Sequence, residues 1–387
     1  MRRIAVVTTS RADYGIYLPV LKLLRETPDV ILQLIVGGTH LMEAYGDTVR
    51  DIEADGFPIS ARLPVELPGD KGVEIARFMG ETTQAAAGAF DSLKPDIALV
   101  LGDRHEMLAA AMAAVPLNIP LAHIHGGERT EGLIDEQVRH ALTKLSHLHF
   151  VATEEYARRI RQMGEQPESV TVSGAPALDA IRQFVPDARK KVARDIGVEA
   201  EAEWILVTYH PVTLDPQSAA PATSMFKQVL EKLDAQIILT YPNADTANKD
   251  IIAGFEELAA TRSNVRLVRN LGQKHYFNVL SHASVMLGNS SSGLIEAPSF
   301  DLPVVNVGDR QRGRVRGENV IDAADDEAAI MVGLERALDP VFRKRIAGQS
   351  NPYGDGQAAE RIVSRLISQP LGKAILYKVF EDQSDDA

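Results

Sequence analysis

Short apolar runs alternate with helical patterns along almost the whole chain, and nearly every run stops at Gly, His, Asn, Ser, Asp or Arg. Runs at 4–7, 30–36, 59–65, 96–101, 119–122 and 148–152 form a first series. Runs at 205–208, 236–239, 265–268, 285–287 and 304–307 form a second. Continuous apolar strands separated by helices predict parallel sheets covered on both faces. Two series predict an α/β protein of two doubly wound domains, with a border near Gly174-Ala175-Pro176. Ligands of such sheets bind outside the carboxyl ends of the strands. Two sheets facing each other would therefore bring all these polar ends to one cleft.

Length agrees with two domains, since 387 residues exceed one ordinary domain. A net charge of −12 argues against a nucleic-acid partner, which needs a basic footprint. It leaves room for a local cationic pocket that holds an anionic small molecule. The absence of cysteine excludes disulfides, a thiolate nucleophile and thiolate-bound zinc. The apolar run after Arg2-Arg3 is too short for a signal peptide, and the longest apolar stretch, 107–117, is too short to cross a bilayer. The expectation is a cytoplasmic enzyme with no membrane partner.

The densest stretch is 123–140, HIHGGERTEGLIDEQVRH. It follows the run 119–122, which ends like a buried strand. Asp135 stands where a helix could begin and 137–147 continues it, so Asp135 and Arg139 would share a face, as would Glu136 and His140. Density of titratable groups beside a strand end favours a functional site over a salt-bridged surface helix. Asp103 closes the strand 96–101 within GDRHE; its competing role is to cap the Ala-rich helix that follows. Asp103, Glu128 and Asp135 are three carboxylates on neighbouring strand ends, the usual groups for moving protons. His123 and His125 would share a face if the strand reached them. With Glu128, Asp135 and His140 they could hold a metal, but the spacing matches no recognised ligand set, which favours satisfied or substrate-contacting histidines.

In the second half GNSSSG, 288–293, precedes an apolar helical turn at 294–297. It reads equally as a phosphate cradle at a helix start or as a flexible loop with a serine cap. It is not a Walker A loop, and no G-x-G-x-x-G follows the first strand, so neither a nicotinamide nor a flavin cofactor is expected. Arg310, Arg312, Arg314 and Arg316 follow a strand end. That position favours diphosphate binding or docking onto the other domain over a merely solvated loop.

Taken in order, SRADYG (10–15), YGDT (45–48), LGDRHE (101–106), HIHGGE (123–128), IDEQVRHALTK (134–144), HPVT (210–213), PNAD (242–245), GNSSSGLIE (288–296), GDRQRGRVRGENVI (308–321) and NPYGDG (351–356) span almost the whole chain. This series resembles the hydrolysing UDP-N-acetylglucosamine 2-epimerases of bacterial sialic-acid biosynthesis. The non-hydrolysing cousins are less similar, opening with Gly-Thr-Arg-Pro-Glu where this chain has SRADYG.

The resemblance implies two Rossmann-like doubly wound domains facing a cleft, of the glycosyltransferase-B type. The first would comprise 1–173 and 366–387 and carry the catalytic carboxylates Asp103, Glu128 and Asp135. The second, 174–365, would bind UDP. By the same resemblance Arg11, His210, Ser290, Ser291 and Arg310 would contact the diphosphate. Glu296 would accept from the ribose and Asn243 would lie near the nucleotide. The implied reaction is anti elimination of UDP across C1–C2, then hydration of the glycal to give N-acetylmannosamine and UDP. It needs no cofactor and implies no metal. The same reaction on UDP-2,4-diacetamido-2,4,6-trideoxyglucose, of the legionaminic-acid pathway, is the alternative. A glycosyltransferase would need an acceptor and leaves the carboxylate cluster unexplained; intact carboxylates argue against a silent nucleotide-sugar sensor. The family also suggests a homo-oligomer, a dimer or a tetramer.

Overall fold

The computed structural model describes residues 1–43, 46–67, 69, 71–130, 134–211, 219–242 and 248–382. The chain falls into two units. The first comprises Met1–Glu128, Asp135–Ala180 and Tyr353–Ala387; the second comprises Arg129–Ile134 and Ile181–Pro352.

The first unit is built on strands β1 (Arg2–Thr8), β2 (Val30–Val36), β3 (Ile59–Arg62), β4 (Ile97–Leu101), β5 (Leu121–Ile124), β6 (Leu148–Val151) and β7 (Val170–Val172). They form one parallel sheet in the order β3-β2-β1-β4-β5-β6-β7. The order reverses between β1 and β4, and that is where an open α/β sheet opens a crevice for ligands. The central strands are apolar without alternation because both faces are covered: Ile4–Val7 and Ile97–Val100 are wholly buried. The helix Arg11–Glu26 covers one side with Tyr17, Leu21 and Leu24. In the helix His105–Ala114, Ala109, Ala110 and Ala111 are wholly buried, and their short side chains let it pack closely. The chain re-enters this unit at Tyr353. Its hydroxyl meets that of Tyr156 at 3.0 Å. The Asp179 carboxylate accepts from the Ala358 and Ala359 amides at 2.9 and 2.7 Å, capping the helix Ala358–Ser368. Ile362, Val363 and Leu366 of that helix then join the first unit's core.

The second unit has β8 (Trp204–Thr208), β9 (Gln236–Thr240), β10 (Val265–Val268), β11 (Val285–Gly288), β12 (Val304–Val307) and β13 (Val320–Ala323), parallel in the order β10-β9-β8-β11-β12-β13. Its reversal lies between β8 and β11. Ile205, Val207, Ile237, Leu239, Val285, Leu287, Val305 and Val307 pack with Phe226, Phe255 and Ile330 in a separate core. Both sheets are therefore doubly wound and Rossmann-like. Among the described residues no helix is long and apolar enough to cross a membrane.

Candidate active site

In the first unit the site grows from the aligned ends of β4, β5 and β6. Their register sets Leu101 against Ile124 and Ile124 against Phe150. The strand expected to stop at Ala122 runs on through His123 and Ile124. His123 is wholly buried, with Nε2 2.8 Å from the Gly102 carbonyl. Burial holds it down to about 3, so it is a neutral ring that ties β5 to β4. His125 does not share its face. The backbone there turns to φ +63°, the strand ends, and the His125 Nδ1 meets Glu128 Oε1 at 2.6 Å. Gly127, at φ +74°, completes the turn; a Cβ there would overlap the Tyr156 carbonyl, and Arg159 grips the Gly127 carbonyl. Glu128 ends up 2% exposed.

Asp103 does not cap the Ala-rich helix. Arg104 holds the cap position and turns its guanidinium to Glu106 at 3.2 Å, and the Asp103 carboxylate pairs with Arg139. Arg139 also donates to the His125 carbonyl at 2.7 Å. Asp135 opens the helix Asp135–Leu145, one turn before Arg139, and Glu136 meets His140 at 3.1 Å as their spacing predicted. The fold thus links Asp103 to the turn that carries Glu128 through Arg139 and His125, and sets Asp135 at the start of the helix that carries Arg139. Arg139 and His125, its two connectors, read in the sequence as a helix-face neighbour of Asp135 and as a ligand or substrate-contacting histidine, not as the link between Asp103 and Glu128. Among the described residues no three His, Asp or Glu side chains group as a metal site.

Arg11 stands exposed in the first turn after β1. The loop before it is fixed by buried Asp13, whose carboxylate accepts from the Ser10 amide at 2.9 Å and the Thr9 hydroxyl at 2.9 Å. Burial pushes Asp13 up to about 6 against those bonds, and His40, 4.0 Å away, is held down to about 4, again chiefly by burial.

In the second unit three strand ends converge. Gly288 closes β11 at φ +135°, where a Cβ would overlap the Thr208 carbonyl of β8. This close approach brings Asn289 to His210. The His210 amide donates to Asn289 Oδ1 at 2.7 Å, and Asn289 Nδ2 donates to the His210 carbonyl at 2.8 Å. After β12, Arg310 and Gln311 donate to the Asn289 carbonyl at 3.2 and 2.8 Å. His210, Ser290 and Arg310 are thereby held around one turn. Burial, reinforced by the Arg310 charge, drives the His210 ring well below its ordinary range, so it is a neutral donor. The Ser290 and Ser291 amides take no partner among the described residues. The helical turn expected at 294–297 begins two residues earlier. Ser292–Ile295 makes one turn, and a 3-10 turn, Ala297–Phe300, follows because Pro298 has no amide to continue the ladder. Amides and hydroxyls there, rather than a long helix dipole, make the loop attractive to an anion. Half-buried Glu296 lies beside Tyr276, whose hydroxyl donates to Ser292 at 2.7 Å. The four arginines divide: Arg312 pairs with Asp309, Arg314 donates to the Arg129 carbonyl and Arg316 pairs with Asp322, leaving Arg310 at the turn. Asn243, with Val212, Thr213 and Asp245 of the same motifs, lies outside the described residues.

Two doubly wound parallel sheets of this topology are the Rossmann-like pair of the glycosyltransferase-B type. The solved UDP-GlcNAc 2-epimerase of Neisseria meningitidis bound to UDP-GlcNAc shares this fold with a TM-score of 0.81, at 20% identity, over 95% of this chain and 100% of that one. The UDP-N-acetylglucosamine 2-epimerase family matches residues 22–367, and this chain belongs to it. One curated relative is the UDP-N,N'-diacetylbacillosamine 2-epimerase (hydrolyzing) of Legionella pneumophila, 42% identical over 98% of this chain and 99% of its own. Another is the GDP/UDP-N,N'-diacetylbacillosamine 2-epimerase (hydrolyzing) of Campylobacter jejuni, 33% identical over 98% and 99%.

Proposed function

We propose that this enzyme is a hydrolysing 2-epimerase that releases UDP and a free 2-epimeric sugar. Its preferred substrate is UDP-2,4-diacetamido-2,4,6-trideoxyglucose, the sugar nucleotide also called UDP-N,N'-diacetylbacillosamine. The observation that carries this choice is the full-length 42% identity to a relative of that name, supported by a second at 33%. It replaces UDP-N-acetylglucosamine as the first choice from sequence. That sugar stays as the second reading, favoured by the family's description and by the ligand of the Neisseria structure.

In this reading a carboxylate of the first unit takes the C2 proton while the C1–O bond breaks toward UDP, leaving a glycal. A proton then returns to C2 on the opposite face and water supplies the hydroxyl at C1. Asp103, Glu128 and Asp135 are the groups for these transfers. Glu128 sits in direct contact with an imidazole, which gives it a partner for a proton. Ser290, Ser291, neutral His210, Arg310 and Arg11 are the groups assigned to the departing diphosphate. Glu296 accepts from the ribose and Asn243 serves the nucleotide. Hydrogen bonds from a neutral imidazole and an arginine strengthen as charge grows on the leaving oxygen.

The test is to incubate the purified enzyme with each UDP-sugar and identify products by NMR. The diacetamido substrate should give UDP and its free 2-epimer with kcat/KM at least about tenfold above UDP-N-acetylglucosamine, the scale of one substituent contact. A reversed preference assigns the second substrate; no UDP release from either refutes the reading.

A further inference from the structure

Arg139 is buried at 2% exposure in the middle of the helix Asp135–Leu145, yet its guanidinium is not placed to satisfy itself. One terminal nitrogen pairs with Asp103 and the other donates to the His125 carbonyl, while Nε has no partner among the described residues. A buried, partly unmet cation costs stability, so packing alone does not account for an arginine here. Its two bonds end on the two turns that carry Asp103 and Glu128. The second of those turns is strained. His125 lies at φ +63°, a conformation that residues other than glycine keep only when neighbours over-determine it. Two backbone bonds do so: the His125 amide to the Phe150 carbonyl at 3.0 Å, and Arg139 to the His125 carbonyl. The ring of that same His125 meets Glu128.

We infer that Arg139 is a positioning residue for proton transfer: one buried fork orients the Asp103 carboxylate directly and sets the Glu128 carboxylate through the strained His125 turn. The inference rests on the proton-transfer roles proposed above for those carboxylates. Arginine is suited to this because its planar fork reaches two acceptors in fixed directions, which a lysine ammonium cannot do.

The experiment compares wild type, Arg139→Lys, Arg139→Ala, Asp103→Asn and the double variant Arg139→Lys with Asp103→Asn. Each is assayed on whichever UDP-sugar wild type turns over best, and its native fold is checked by thermal unfolding. Arg139→Lys keeps the charge and loses one of the two bonds. Its kcat should fall about 10- to 100-fold, the cost of slight misplacement of reacting groups, with KM little changed. In the double variant the lysine should add less than it costs alone, because its effect on the Asp103 carboxylate is already lost and only that through His125 and Glu128 remains. Guanidinium ion at non-denaturing concentration should partly restore kcat in Arg139→Ala and leave Asp103→Asn unaffected. Full kcat in Arg139→Lys, or additive losses in the double variant, overturns the inference. Loss of fold in both Arg139 variants also overturns it and makes the residue structural. Wild type that releases UDP from neither sugar is a separate failure, that of the epimerase reading, and the positioning role falls with it.

Discussion

Asn289 is the side chain whose loss should damage the second unit's site most sharply. It is 1% exposed and makes a reciprocal pair with the His210 backbone, at 2.7 and 2.8 Å. Asn289→Ala leaves the amide and carbonyl of a residue only 5% exposed without those partners. Each orphaned buried group costs about 1–3 kcal/mol, so the two together cost about 2–6 kcal/mol, less whatever an entering water recovers. A unit of this size shifts its melting point by about 2–4 °C per kcal/mol, so, with no water entering, the second unit should melt about 4 °C lower or more. Function should suffer as well. The carbonyl of the same residue receives Arg310 and Gln311, and a relaxed turn moves Arg310, Ser290 and His210 apart. Asn289→Asp should be no milder, because a carboxylate oxygen would face the His210 carbonyl. Scanning calorimetry reads the melting point and titration calorimetry reads UDP affinity. A variant that melts with wild type and binds UDP equally well would refute the convergence on Asn289.

Three further outcomes are expected. Asp103→Asn, Glu128→Gln and Asp135→Asn should each lose turnover by about 10²–10⁴-fold in a UDP-release assay, with UDP affinity nearly unchanged. Near-normal turnover in all three would remove the carboxylates from the mechanism. Ser290→Ala with Ser291→Ala should weaken UDP binding by about 1.5–3 kcal/mol per hydrogen bond lost to a charged oxygen, and unchanged affinity by calorimetry would dismiss the phosphate loop. His123 is depressed to about 3, below its unfolded 6.5. Its contribution to stability is therefore complete above pH 6.5 and is lost as pH falls toward 3, because the unfolded chain takes up the proton first. His123→Gln should flatten the fall in melting temperature between about pH 6 and 4; a curve parallel to wild type would contradict this.

Much of this was legible because strand–helix alternation and polar strand ends are local signals. β2, β10 and β12 fall where their apolar runs do, and Asp135 opens its helix. The edge strands β7 and β13 escaped, since short strands that are half-exposed lack the continuous apolar run of central ones. The end of β5 was misjudged at His123, because a histidine reads as polar until the Gly102 carbonyl is known to receive it. The turn after GNSSSG starts at Ser292 rather than Leu294, because small polar serines carry no apolar signal for a helix start. Within the site, Asp103 and Arg139 are separated by 36 residues, and the Asp179 cap on the returning helix spans 179. No periodicity encodes such pairs; the register of the sheet creates them. The motifs carry no readable mark of a substrate's C4 and C6 groups, so the diacetamido proposal rests on the full-length relatives.

The central claim is that the chain breaks and remakes the C2–H bond while expelling UDP. Wild-type enzyme turned over in heavy water, with its UDP-sugar at natural isotope abundance, tests it most directly by NMR. The account predicts free 2-epimeric sugar carrying deuterium at C2, with one UDP released for each sugar. A product that keeps its C2 proton, or that remains joined to UDP, would contradict it.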